Sequence, residues 1–186
     1  MVDALLRFIE EELHDRETLL LALDGRCASG KSTLAEEVRQ ALDCTVIHMD
    51  DFFLRPEQRT PERFATPGEN VDHERFLQEV LLPLCSGKPF SFRPYDCSQQ
   101  ALAEPVSVEP RKVCIVEGSY SCHPDLWPHY DAHVFLTVDP DVQLKRILVR
   151  NGAQMQRRFA QEWIPLEEKY FAAYDLQARC ELVLKS

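Results

Sequence analysis

The octapeptide Gly25-Arg26-Cys27-Ala28-Ser29-Gly30-Lys31-Ser32 fits the pattern G-x-x-x-x-G-K-[ST] and separates two segments of different character. Before it runs the apolar stretch Leu19 to Leu23, suited by length and composition to a buried strand. After it, Thr33 to Leu42 reads as a helix. Strand, glycine-rich turn and helix N-terminus in that order make a phosphate-binding loop. The two glycines allow a tight turn, and the start of the helix offers unpaired N–H groups and a partial positive charge to an anion. Gly25, Ala28, Ser29, Gly30, Lys31, Ser32 and Thr33 are expected to hold a nucleoside triphosphate. Lys31 would reach the β- and γ-phosphates, and the Ser32 hydroxyl would help to hold Mg²⁺. The alternative is an ordinary strand–turn–helix with a solvent-facing lysine.

A loop of this kind needs a sheet around it, and 186 residues suffice for one domain with a full core. Hydrophobic residues make up 45% and charged residues 28%, which is typical of a globular protein in water. The formal net charge of −10 argues against a nucleic-acid partner, which requires a basic face. No apolar run is long enough to span a bilayer. The N-terminus leads into acidic residues, unlike a signal peptide, so no membrane partner is expected. The seven cysteines include no C-x-x-C pair and are odd in number, which favours a reducing, cytoplasmic setting over disulfides or zinc. The six histidines show no ligand spacing, and no structural metal is expected.

Taken in order, Asp3 to His14 has the apolar spacing of an amphipathic helix. Cys44 to Met49 is a short strand ending at Asp50-Asp51. Phe52 to Asn70, broken by Pro56, Pro61, Pro67 and Gly68, reads as a long loop, and its aromatics argue that it is functional and not disordered. Asp72 has the character of an N-cap for a helix from His73 to about Cys85. Phe90 to Tyr95 alternates like a strand, with Pro105 to Val108 as its antiparallel partner. Val113 to Val116 and His133 to Val138 are buried strands, ending at Glu117-Gly118 and Asp139-Pro140. A helix from Asp141 should close at Asn151-Gly152, and Glu181 to Leu184 reads as the last strand. Alternating strands and helices imply an α/β fold with a parallel sheet covered on both faces. Ligands bind such sheets at the carboxyl ends of strands, where Gly25, Asp50 and Glu117 all fall.

Those positions match the needs of phosphoryl transfer: a cradle, Mg²⁺, cations, and a group that takes the acceptor's proton. Glu117 is a candidate metal ligand beside Ser32, acting directly or through water; its alternative role is to cap a turn. Asp50 is the candidate base, with Asp51 or a purely structural pair as the alternatives. Arg146, Arg150, Arg157 and Arg158 surround the Asn151-Gly152 break and suit a lid over about residues 150–160, closing on the triphosphate and excluding water. Solvated helix arginines are the plain reading.

The chain resembles the uridine kinase-like P-loop kinases, a group that includes phosphoribulokinase and pantothenate kinase. The resemblance rests on Gly25 to Ser32, His48-Met49-Asp50-Asp51-Phe52-Phe53, Asn70-Val71-Asp72-His73, Arg93-Pro94-Tyr95-Asp96, Val116-Glu117-Gly118 and the arginines from Arg146 to Arg158. It implies a P-loop NTPase three-layer sandwich whose five parallel strands take the order 2-3-1-4-5. It further implies one domain over residues 1–186, with an acceptor-binding insertion at about 52–110 that includes a hairpin. By the same resemblance Asp50 is the catalytic base, assisted by Lys31, Arg150 and Arg158, and Arg146 contacts the nucleotide. Asp72 holds sugar hydroxyls, Tyr95 lines the acceptor pocket with Phe53, Arg93 and Glu117 among the acceptor-binding residues, and Glu117 serves Mg²⁺.

Two segments depart from the family pattern. Tyr95-Asp96 is followed by Cys97-Ser98-Gln99-Gln100, without the histidine and arginine that recognise the pyrimidine in uridine–cytidine kinases. The lid carries Arg150-Asn151-Gly152 in place of a dense arginine run. The expected activity is ATP-dependent phosphorylation of a small hydroxyl acceptor, a nucleoside first. A sugar phosphate, pantothenate or nicotinamide riboside is the alternative, favoured by the arginines at 55, 59 and 63. A nucleotide switch is the reading from another class, and no Asn-Lys-x-Asp motif supports it. Homo-oligomerisation is left open. Cys27, inside the loop, makes thiol modification a way to block nucleotide binding.

Overall fold

The computed structural model describes residues 1–186. Nine strands form: β1 (Leu19–Gly25), β2 (Cys44–His48), β3 (Phe90–Phe92), β4 (Tyr95–Asp96), β5 (Ala101–Leu102), β6 (Val106–Val108), β7 (Val113–Glu117), β8 (Ala132–Thr137) and β9 (Leu182–Lys185). Five build one parallel sheet in the order β2-β7-β1-β8-β9. Counted within that sheet alone, the order is 2-3-1-4-5, as the resemblance implied. The central strand β1 is buried at all seven positions. A strand covered on both faces needs no polar alternation, which is why its sequence is a continuous apolar run.

Eight α-helical segments accompany the strands: α1 (Val2–Glu12), α2 (Lys31–Ala41), α3 (Pro61–Ala65), α4 (His73–Phe76), α5 (Leu82–Ser86), α6 (Pro140–Arg158), α7 (Ile164–Tyr174) and α8 (Leu176–Arg179). Successive residues of β1 face opposite layers. Leu21 and Leu23 pack with Leu5, Ile9, Leu34 and Val38 of α1 and α2. Leu20 and Ala22 pack with Phe76, Val80, Tyr170 and Phe171 on the other side. The result is a three-layer sandwich with one apolar core on each face of the sheet. Truncating a core leucine such as Leu21 or Leu23, both fully buried, would cost roughly 2–5 kcal/mol. No helix is long and apolar enough to cross a membrane.

Four expectations need correction. The segment from Phe52 to Asn70 is not simply a loop. A 3₁₀ turn at Met49–Phe52 leads into it, and it holds a second at Pro56–Gln58 and the short helix α3, begun by Pro61 and capped by the Thr60 side chain on the Arg63 N–H. Such pieces are too short to show a helical period. The helix begun at Asp72, whose side chain accepts from the Arg75 N–H, contains a π-helical turn, Leu77–Leu81, before it ends at Gly87. The hairpin is two ladders, β3 with β6 and β4 with β5, interrupted at Arg93-Pro94, where proline supplies no N–H to a ladder. Finally, α6 does not end at Asn151-Gly152. Gly152 breaks it with φ 79° and ψ 170°, and the helix resumes to Arg158.

Candidate active site

The parallel register aligns the strand ends that matter, with Leu23 beside Glu117 and His48 beside Glu117 on the other edge. The chain turns from β1 into α2 through Gly25, at φ 135°; a Cβ there would lie 2.0 Å from the Leu136 carbonyl oxygen, so only glycine fits. Ala28 takes a left-handed conformation, φ 57°, and Gly30 caps α2 at φ 99°. A Cβ built on Gly30 meets nothing within 4 Å, which leaves the cradle open above the helix start. Beneath it, Ser29 is fully buried and its hydroxyl has no partner. Lys31 Nζ donates to the carbonyls of Gly25 at 2.7 Å and Arg26 at 3.0 Å, and lies 3.5 Å from Ser119 Oγ. Ser32 and Thr33 are exposed on the first turn. Open N–H groups at a helix start, a buried cation and an orphaned hydroxyl suit a polyphosphate.

A cleft of about 1580 Å³ opens over this loop. Ala28 to Thr33, Asp50, Phe53, Glu117, Arg146, Arg150 and Arg158 all line it, so most of the residues singled out in the sequence meet in one place. Asp50 faces the cleft, yet the surrounding walls remove enough water to push its carboxyl above the ordinary aspartate value, with Lys31 pulling the other way. Glu117 is 4% exposed and accepts from His48 Nδ1 at 2.5 Å. That hydrogen bond raises the pKa of His48, against the opposing effect of partial burial. Glu117 and Ser32 are oxygen donors on one wall, a donor set that suits Mg²⁺.

The arginines divide by what already occupies them. Arg146 donates to the carbonyls of Ala28 and Ser29 and to Ser186 Oγ, bracing the loop from outside. Arg150 is engaged only by its neighbour Asn151, and its charge is felt at Asp50. Arg158 pairs with Glu162 at 3.0 Å and lies over the Trp163 ring. The segment expected to form a lid is helical, the second limb of α6 past the Gly152 break.

Three of the residues expected to bind the acceptor do not line the cleft. Arg93 is spent inside the hairpin, donating to the carbonyls of Ala103 and Leu102. Asp72 is 2% exposed and lies 3.7 Å from Arg55 and 3.5 Å from Arg75, besides capping its helix. Tyr95 is buried with its hydroxyl unpartnered. Of that group only Asp50, Phe53 and Glu117 reach the cleft.

Sequence reasoning overlooks several supporting residues. Asp24, fully buried, accepts from the N–H groups of Gly25, Tyr120 and Cys122 and from the Tyr170 hydroxyl. Its place directly before Gly25 was the available signal. Glu167 of α7 accepts from the Cys27 N–H at 2.9 Å and from Ser119 Oγ at 2.7 Å, and Gln143 donates to the Cys27 carbonyl. Nothing local in the sequence ties residue 167 to residue 27. The neighbouring Arg26 pairs with Glu168 at 2.7 Å. Cys27 itself is a poor target for modification: burial, with the nearby Glu167 carboxylate, pushes its thiol far above the ordinary range.

The histidines also meet in a way their spacing hides. His73 and His123 stack at 3.8 Å, and Glu69 lies 3.2 Å from the first and 3.7 Å from the second. Donor atoms of the three lie within 4.8 Å of one another. Arg63 already brings a positive charge there, 3.6 Å from Glu69 and 2.6 Å from Glu74, so the cluster has the makings of an ion-pair network.

No family model matches the chain. Among curated proteins, uridine kinase from Shewanella sp. (strain ANA-3) is 30% identical over 160 residues, spanning 78% of this chain and 74% of that protein. Uridine-cytidine kinase B from Dictyostelium discoideum is 27% identical over 155 residues, covering 77% of this chain and 63% of that one. Among solved structures, one described as a possible uridine kinase from Bacillus stearothermophilus superposes with a TM-score of 0.74 at 21% identity, covering 98% of this chain and 96% of that chain.

Proposed function

Because the chain belongs to the uridine kinase family, we propose that it moves the γ-phosphoryl group of ATP onto a hydroxyl of a small molecule, a nucleoside first among the candidates. The observation that carries this reading is Asp50, a carboxylate at the end of β2 that shares one cleft with Lys31 and the open loop. In the step, the acceptor oxygen forms a bond to the γ-phosphorus as the bond to the bridging oxygen of ADP breaks, and the hydroxyl proton passes to the Asp50 carboxylate. Partial desolvation makes Asp50 a stronger base than an exposed aspartate, which suits that transfer.

Lys31, now held on the loop's own carbonyls, supplies the positive charge for the β- and γ-phosphates. Ser32 and Glu117 would hold Mg²⁺, which neutralises phosphate charge when bound. Arg150 and Arg158 border the cleft and help to keep water, a competing acceptor, from the transferred group. The partner in this reading is a small molecule, with no nucleic acid or membrane involved.

The test is ADP release from Mg-ATP with uridine, cytidine, nicotinamide riboside, pantothenate and sugar phosphates, with Asp50→Asn as the control. Losing the base should slow turnover about 10²–10⁴-fold while ATP still binds. A variant as fast as the wild type would remove Asp50 from the mechanism. Silence from every acceptor would count against the kinase reading itself.

A further inference from the structure

Arg55, Arg59, Arg63, Arg75 and Arg93 come from the segment expected to bind the acceptor; of these Arg59 alone lines the cleft, and the other four guanidinium groups are already committed. Arg63 is held by the carbonyls of Glu69 and Val71 and by Glu74. Arg75 is held by Glu79, by the carbonyls of Arg93 and Asp51, and by its place beside Asp72. Arg93 is spent on the hairpin, and Arg55 lies between Glu57 and Asp72. Arg59 differs. Its Nε donates to the Leu54 carbonyl at 2.9 Å, which orients the guanidinium plane. Its two terminal amino groups have neither a hydrogen-bond acceptor nor a carboxylate partner, and the residue lines the same cleft as Asp50.

We propose that the acceptor carries an anionic group, a phosphate or a carboxylate, away from its reacting hydroxyl, and that Arg59 is the residue that recognises it. Free terminal amines on an anchored guanidinium form a fork that matches either group bidentately. The chain as a whole works against such a ligand, with a formal charge of −10 and Asp50 in the same cleft. An anionic acceptor therefore needs a dedicated cation, and Arg59 is the uncommitted one of the five. Cys97, close enough to feel the Arg59 charge, also feels Asp96 and Asp50, but neither of these carboxylates pairs with the Arg59 guanidinium. Arg59 is exposed, so its terminal amines are open to a ligand entering the cleft.

This inference rests on the kinase reading and replaces its first candidate, a neutral nucleoside, with an acceptor that carries an anionic group. The experiment compares acceptors in matched pairs at saturating Mg-ATP: ribulose 5-phosphate with ribulose, fructose 6-phosphate with fructose, and pantothenate with pantothenol, beside uridine. One anionic member should exceed its neutral partner in kcat/KM, and whether it is a phosphate or a carboxylate identifies the group. Arg59→Gln should cut that preference by roughly 10- to 100-fold, the range of a hydrogen bond to a charged group, while the KM for ATP and the rate with the neutral partner stay unchanged. Turnover of uridine or another neutral acceptor with no anionic preference, or a preference that survives Arg59→Gln, would overturn the inference and leave the kinase reading standing. A rise in the KM for ATP alone would reassign Arg59 to the nucleotide and also overturn it. Silence across all pairs, with Asp50→Asn no slower than the wild type, would remove both.

Discussion

Asp24 shows how much one carboxylate can organise. Four donors from β1, the turn after β7 and α7 converge on it, and burial raises its pKa to about 6. Asp24→Ala would strand those donors in the core, and we expect a loss on the order of 3 kcal/mol or more in urea unfolding. An unchanged midpoint would show that the contacts carry no weight. For Asp50 the sign of the pH effect follows from its raised pKa. The carboxyl must be ionised to take a proton, so the acid limb of kcat/KM should fall off above the ordinary value of 3.8 as pH decreases, and Asp50→Asn should lose that limb. Cys27 should react with a thiol reagent far more slowly in the native protein than the exposed Cys85, because its thiolate is suppressed. Equal rates, read by mass spectrometry after brief labelling, would contradict the burial argument. At this scale the sequence was legible where a residue type stands in a fixed local pattern, as with Lys31, Asp50 and Glu117, which the fold brings to one cleft. It was silent about Glu167, whose role arises from a contact 140 positions away.

Helices α6 and α7 act together on the loop that follows β1. Gln143 and Arg146 hold the carbonyl side of that loop, and Glu167 holds the Cys27 N–H. Glu167→Ala removes a charged acceptor from a backbone donor and from Ser119. We expect ATP affinity to fall about tenfold or more, the scale of a hydrogen bond to a charged group, measured by calorimetric titration. Gly152 sets the angle between the two limbs of α6 at φ 79° and ψ 170°, a region nearly confined to glycine. Gly152→Ala should therefore either cost roughly 1–3 kcal/mol or straighten the helix and displace Arg158, seen as a drop in kcat with little change in fold by circular dichroism. A variant indistinguishable in both stability and rate would mean the break has no consequence. The glycine announced a break in the sequence. That the chain continues as helix beyond it depends on the packing of the following segment, which a local pattern does not contain.

Across the whole molecule, the sheet separates two apolar cores and gathers its chemistry at one end. His123 lies outside that end and links folding to pH. Burial and the nearby His73 lower its pKa from 6.5 to about 4. The unfolded chain therefore binds the proton first, and stability is lost as pH falls from about 6.5 toward 4. Asp24, with its raised pKa, acts in the opposite direction over part of the same range, so the useful quantity is the difference between wild type and His123→Gln. That difference should change by on the order of 2 kcal/mol across the window, and parallel curves would contradict it. The amino-acid sequence by itself determined the strand–loop–helix of the phosphate-binding motif and the parallel sheet, because apolar periodicity, glycine positions and motif spacing are local or nearly so; the strand order followed only from the family resemblance. Only the tertiary structure decided which arginines remain free, which carboxylates brace the loop, and that Arg93, Tyr95 and Asp72 do not line the cleft. Those outcomes depend on which groups from distant segments satisfy one another first, and burial makes each such pairing exclusive.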